Sequence, residues 1–414
     1  MSLTTSTEHG ARSTRAAAYC SVLLALSVAA ICVATLRADG RTLPAGWTLA
    51  LASGDEAAAE LLQNLLLFVP LGLALAMHGL RWRSLLLAGG ALSFSVEFLQ
   101  QWIPGRDPSV GDVVTNAVST LLGGAMVWTA PRWLHPPARR AAWLSLGAAA
   151  VAAVAWLGTG WLFQPAFPRT AYYDRWTPDI PHWPNYKGKV VGATLGPVVL
   201  EDGPIGSGDT LLAAGAPILI RARAGPAPRR SAPLLTISDA AHRDIFIVGV
   251  DREDLLIVYR TRAAALALSR PDLRVRHALA GVQPGDTFTV AVRRDCINTS
   301  CGLGYTIGDG WKLIFYPEHF SPWALRLLNA MWVGGGLLGV GLWGRRHPAS
   351  GAALLLAAAT LALGPDLVAL KPTPLGDWLG ALAGLVVGRL AWRGRNRLSS
   401  LGAPPFSLKR NLHG

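Results

Sequence analysis

The sequence predicts a polytopic α-helical membrane protein of about eight transmembrane helices, two parallel four-helix halves with an extracytoplasmic all-β sandwich of jelly-roll type inserted between helices 5 and 6. Three observations carry that prediction. Of 414 residues, 51% are hydrophobic and only 15% charged, too apolar for an ordinary soluble chain, and the apolar runs are spread along its length. Residues 164–320 break the pattern with short alternating runs bounded by Gly, Pro and Asp. The formal charge of +13 sits in short basic clusters between apolar runs, a distribution that sets membrane orientation and excludes a nucleic-acid partner as its explanation.

In order, a tail at 1–16 precedes apolar runs at about 17–36, 61–80, 84–103, 112–130, 141–163, 323–343, 350–370 and 375–393, each long enough to cross a bilayer. The first follows Arg12 and Arg15 like a signal peptide. Its apolar stretch is longer than a signal core and no small-x-small site follows, so it reads as a retained anchor. Residues 17–130 form the first membrane half, 131–163 a loop and the fifth helix, 321–394 the second half and 395–414 a basic tail. With a cytoplasmic amino terminus, Arg81, Arg83, Arg132, Arg139, Arg140, Arg345, Arg346 and the terminal cluster from Arg393 to Arg410 all fall inside, whereas the short outer segments hold only Arg37, Arg41, Arg106 and Lys371. Both termini are then cytoplasmic, and 164–320 lies outside.

The inserted segment opens with Pro-rich stretches (FQPAFPRT, WTPDIPHWPNY) and continues with APLLTISD, DIFIVGVD, DLLIVYRT, DTFTVAV and KLIFYP. Many short strands predict a β-sandwich. The run PLLTISDAAHRDIFIVGVDREDLLIVYRTR resembles laminin-G or concanavalin-A-like jelly rolls in the order of its strands, and the domain is expected to recognise glycan or a partner protein. Trp176, Trp183 and Trp311 are open to two readings, stacking on sugar rings or packing in the core. Cys296 and Cys301 lie in this segment and are expected to bridge in an oxidising compartment. Cys20 and Cys32 share one apolar run, about 18 Å apart on a helix, and read as packing residues.

The membrane halves echo each other. Setting Asp112 against Asp377 aligns Arg106 with Lys371, Asn64 with Asn329, and Gly111, Thr115, Ser119 and Gly123 with Gly376, Gly380, Gly384 and Gly388. Parallel repeats of four helices keep one orientation. The second half places Ala362 and Ala381 opposite Glu97 and Asn116, so any chemistry is expected in the first half.

Polar groups gather at the turn between the third and fourth runs. Ser93, Glu97, Gln100 and Gln101 share one helical stripe, and Asp112 and Asn116 share another. Asn64 approaches from the second run, ahead of Pro70 and Gly72. Asp112 is expected to cap its helix and pair with Arg106 across the turn, and Glu97, about two turns deep, must be paired, protonated or facing water. The spacing N-x5-P-x-G, S-x3-E-x2-Q, P-x-R, D-x3-N and a following glycine, at Asn64, Pro70, Gly72, Ser93, Glu97, Gln100, Pro104, Arg106, Asp112, Asn116 and Gly123, resembles the VanZ-like membrane proteins over about 60–130. That resemblance implies a protein of the bacterial cytoplasmic membrane and cell envelope, the name-giving member being linked to resistance to the glycopeptide antibiotic teicoplanin.

Three functions compete. In the first, an external polar cleft binds a lipid, a lipid-linked precursor or a glycan, with Arg106 on phosphate or carboxylate. In the second, an enzyme acts on a lipid-linked substrate with Glu97 as general acid or base and Arg106 and Asp112 beside it. The third is a transporter on the repeat, disfavoured because the polar groups lie at one end. The sequence has no H-E-x-x-H, G-x-S-x-G or P-loop, and no cofactor or metal ligand set is read from it.

Overall fold

The computed structural model describes residues 4–38, 46–48, 56–179, 183–293, 296–298, 300, 304–315 and 320–400, with side chains from 18 to 394. Among these residues eight long helices are present: α1 (Thr4–Thr35), α2 (Ala57–Met77), α3 (Trp82–Gln100), α4 (Val110–Leu134), α5 (Ala138–Leu162), α7 (Pro322–Trp343), α8 (Pro348–Leu367) and α9 (Leu375–Ser400), with a short α6 (Gly208–Ala213) inside the β region. Six of the eight, all but α3 and α9, are long and apolar enough to cross a membrane. Helix α9 carries Asp377, Arg389 and Arg393 and runs on into the basic tail, and α3 opens on Trp82 and Arg83. Helix α3 stops at Gln100, short of the expected 103, because Pro104 disfavours helical backbone at Ile103. The chain leaves through three-residue turns, Trp102 N–H to Leu99 and Ile103 N–H to Gln100.

The chain divides into two compact units, the second being Ala142–Arg395. In the first, α2 packs on α4 and α3, and Ile31, Phe68, Leu71 and Val96 form the core. The α2–α4 crossing is close because both helices present glycine there: a Cβ on Gly72 would strike the Thr120 carbonyl, and one on Gly123 the Val69 carbonyl.

In the second unit, α5 and α7–α9 enclose a core of Ala149, Ala152, Trp156, Val333, Leu337, Val340, Ala357 and Leu361. The α7–α9 contact is again glycine on backbone, Gly380 on Ala330 and Gly384 on Gly334. The β region of this unit has two antiparallel sheets. One orders β4 (Pro204–Ile205), β1 (Tyr172–Trp176), β6 (Ala232–Asp239), β7 (Asp244–Asp251), β8 (Asp254–Tyr259) and β9 (Leu273–Val275); the other orders β11 (Cys296–Ile297), β10 (Thr287–Arg293), β5 (Ile218–Arg223), β2 (Lys189–Leu195) and β3 (Val198–Leu200). Strands β5 and β10 alternate buried and exposed residues, as a sheet with one wet face must. Strand β6 is buried along its whole length and β7 and β8 nearly so, which means their sheet is covered on both faces. Trp183 packs on Ile247, Leu256 and Val258 in that cover.

A 3-10 segment, Ile307–Leu313, carries the β region into the helical core. Ile307 is fully buried among the α5, α7 and α8 side chains, and the Tyr305 ring stacks on Phe163 at 4.2 Å between centroids.

Candidate functional site

The polar stripe of α3 is buried against its neighbours. Ser93, Glu97 and Gln100 are 0%, 3% and 6% exposed, so the i, i+4 pattern marked the inward face of an otherwise apolar helix. Each has one distinct partner. Ser93 Oγ accepts from Asn116 Nδ2 at 2.9 Å, Glu97 Oε2 accepts from the Ser109 N–H at 2.9 Å, and Gln100 Nε2 donates to the Thr35 carbonyl at 3.1 Å. Gln101 lies just past the helix end and is half-buried.

Asn116 is 3% exposed, and its Oδ1 has no hydrogen-bond partner. Which amide atom is oxygen is an assignment, but either orientation leaves one polar atom of this buried group unmatched. A buried polar atom without a partner costs roughly 1–3 kcal/mol.

Asp112 does not cap α4. The cap is Ser109, whose hydroxyl accepts from the Gly111 N–H at 3.1 Å, and Asp112 sits in the first turn, where a carboxylate meets the positive end of the helix. Asp112 Oδ1 accepts from Asn64 Nδ2 at 2.8 Å, a link from α4 to α2. The expected pairing of Asp112 with Arg106 is absent. Arg106 donates to the Ala34 carbonyl at 2.9 Å and the Arg37 carbonyl at 3.0 Å, closing the end of α1, whose last carbonyls lack helical partners. The loop into α4 is pinned by Thr48, whose N–H donates to Pro108 and whose carbonyl accepts from Val110.

The structure therefore brings Ser93 and Glu97 of α3 and Asn116 of α4 into one buried seam, joins Asn64 of α2 to Asp112 of α4 in a second pair, and makes Arg106 and Gln100 braces to α1. The Ser109 contribution was missed in the sequence because a backbone donor has no signature there. Among the described residues no three His, Cys, Asp or Glu side chains are grouped to hold a metal ion.

In the second unit Cys296 is disulfide-bonded; Cys301 lies outside the described residues. Trp311 is a packing residue, 6% exposed, its indole N–H donating to Asn329 Oδ1 at 2.8 Å. Trp176 lines a cleft of about 620 Å³ at the β1–β6 edge together with Tyr173, Asp179 and Ser238. Its carboxylates Asp174 and Asp239 are occupied by turn N–H groups. The other half of the repeat alignment, Asn329 and Asp377, does not bond directly: Asn329 Nδ2 donates to Asp309 at 3.0 Å, and Asp377, 1% exposed, faces Thr306 and Gly308. The T-x-x-D box at Thr306–Asp309 was visible in the sequence as a helix start, but its docking on α7 and α9 was not.

No curated protein and no solved structure matches the chain. A family model does, that of VanZ/LLP1, over residues 18–131, which takes in the second half of α1, all of α2 and α3, most of α4 and every residue of the buried seam. The chain thus carries a VanZ-like membrane segment at 18–131, and the polar seam lies within it.

Proposed function

We propose that this VanZ-like segment binds a lipid-linked envelope precursor at the polar seam of α2, α3 and α4, on the outer side of the bacterial cytoplasmic membrane. The observation that carries the reading is the unmatched amide of Asn116, buried beside Ser93 and Glu97. A ligand hydroxyl or amide N–H meets that atom, and sugar and peptide groups supply both. Glu97 already accepts the Ser109 backbone N–H, and the Ser93 hydroxyl is engaged by the Asn116 amide rather than by a general base. Those surroundings favour holding a ligand over transforming one, so the enzyme with Glu97 as acid or base is the weaker reading. The two helical halves descend from one repeat, supported by the glycine contacts of both pairs and by the same 48-residue interval from asparagine to aspartate. The β region extends recognition to glycan, and the protein's phenotype is altered glycopeptide susceptibility.

Native mass spectrometry of the detergent-extracted full chain tests this. Wild type retains a lipid-linked species that Asn116→Leu loses, and Glu97→Gln weakens its retention. Finding no retained species, or equal retention by wild type and Asn116→Leu, sinks the proposal.

A further inference from the structure

Two residues that the repeat aligns with Asn64 and Asp112 already hold a ligand, and it is part of the chain itself. Residues 304–313 leave the β region and lie against α7 and α9. Asn329 uses both ends of its amide on them, donating to Asp309 Oδ1 at 3.0 Å and accepting from the Trp311 indole at 2.8 Å. Asp377 accepts from the Gly308 N–H, and the Thr306 hydroxyl lies 3.4 Å from its Oδ2. The fit depends on glycine: a Cβ on Gly308 would strike the Asp377 carboxylate, and one on Gly310 the Trp332 indole. Asp309 is 5% exposed and fully matched, by Asn329, by Lys312 Nζ at 2.6 Å and by the Thr306 N–H at 2.7 Å.

The pair thus recognises peptide chemistry. Its carboxylate reads a backbone N–H, and its amide reads a side-chain carboxylate and an N–H donor. In the first half the same two residue types, at the same interval, bond each other, and Asp112 makes no other hydrogen bond among the described residues. Asn64 and Asp112 are therefore available to exchange their mutual bond for those of a ligand. One helical turn beyond Asp112 on α4 lies Asn116, with its unmatched amide.

We infer that residues 304–313 are a tethered ligand filling the second-half site, and that Asn64 and Asp112 form the matching first-half site for the peptide moiety of an envelope precursor. This rests on the precursor-binding reading above and adds which part of the precursor is read. Because the second-half site is filled in cis, that half serves as the socket that fixes the β region to its helices.

The probe is a fluorescent synthetic peptide of residues 304–313, titrated by anisotropy into the full-length protein in detergent. Saturable binding is expected. Loss of a single hydrogen bond to a charged group predicts that Asp309→Asn in the peptide weakens binding about tenfold, with a similar loss for Asn64→Leu in the protein. Equal binding of the native, Asp309→Asn and scrambled peptides, no saturable binding at all, or undiminished binding to a folded Asn64→Leu protein overturns the inference. The peptide variant keeps the test decisive if Asn64→Leu fails to fold. A lipid-linked species retained in native mass spectra without peptide binding removes this inference and leaves the precursor reading standing; peptide binding without any retained lipid does the reverse.

Discussion

At the scale of single residues, the buried amides of Asn329 and Asn116 differ in how fully their polar atoms are used, and use translates into stability. Asn329 satisfies both ends of its amide, one on the buried Asp309 carboxylate, and its loss strands that carboxylate and the Trp311 N–H. One charge-assisted and one neutral bond predict a loss of about 2–4 kcal/mol for Asn329→Leu. Asn116 makes one side-chain bond, to Ser93, and interhelical bonds of that kind in membranes average about 0.6 kcal/mol. Thermal unfolding in detergent should therefore place Asn116→Leu well above Asn329→Leu, and the opposite order would contradict the partner assignments. Asp239, in the β6–β7 turn, gives a pH prediction. Burial pushes its pKa up, but the Arg243 N–H and guanidinium and the Ala241 N–H outweigh burial and hold it below the usual carboxylate range. A carboxyl depressed on folding stabilises fully above its ordinary value of about 3.9 and loses that contribution as pH falls through the folded value. Asp239→Asn should thus lower hydrogen-exchange protection of the Ala241 and Arg243 amides at neutral pH. The gap from wild type should close below about pH 4, and a gap that persists into acid would refute the assignment.

At the scale of elements, helix packing follows from where glycine meets backbone. At the α2–α4 and α7–α9 crossings a single methyl has nowhere to go, whereas a Cβ on Gly147 in α5 meets nothing within 4 Å. Overpacking by one methyl at Gly123 or Gly384 predicts a loss of about 1–3 kcal/mol for each alanine variant. Gly147→Ala should be neutral or stabilise by up to about 1 kcal/mol, since alanine is the better helix former. Melting curves of the three variants check this directly; equal effects would mean the crossings are looser than described. These ladders were legible because small residues recur one helical turn apart at Gly376, Gly380, Gly384 and Gly388. Helix α3 shows the limit of that legibility. Its stripe of Ser93, Glu97 and Gln100 was readable from spacing, yet the partners of two of the three are a backbone N–H at Ser109 and a backbone carbonyl at Thr35, which any residue type supplies. Arg106 was misread for the same reason: its partners are carbonyls at the end of α1, about 70 residues away, and carbonyls leave no mark in the sequence.

At the scale of the whole molecule, apolar run length foretold long helices, six of which among the described residues are long and apolar enough to cross a membrane, and short alternating runs foretold a β-rich region between them, because both signals are local. The insertion of Ile307–Leu313 among helices was not foretold: KLIFYP reads as a strand by its apolar residues, yet Lys312 and Leu313 close the 3-10 segment instead. What the sequence does carry at this scale is orientation. Basic residues at Arg81, Arg83, Arg139, Arg140, Arg345 and Arg346 flank alternate ends of the apolar runs, and translocating such clusters is disfavoured. That charge pattern predicts the β region on the outer side, a compartment in which a disulfide at Cys296 would be stable. Single cysteines placed at the exposed positions Arg139 and Ala213, in a background without Cys20 and Cys32, put this to a test in intact cells. A membrane-impermeant maleimide should label Ala213→Cys and spare Arg139→Cys until the membrane is opened. The reverse pattern would put the β region in the cytoplasm.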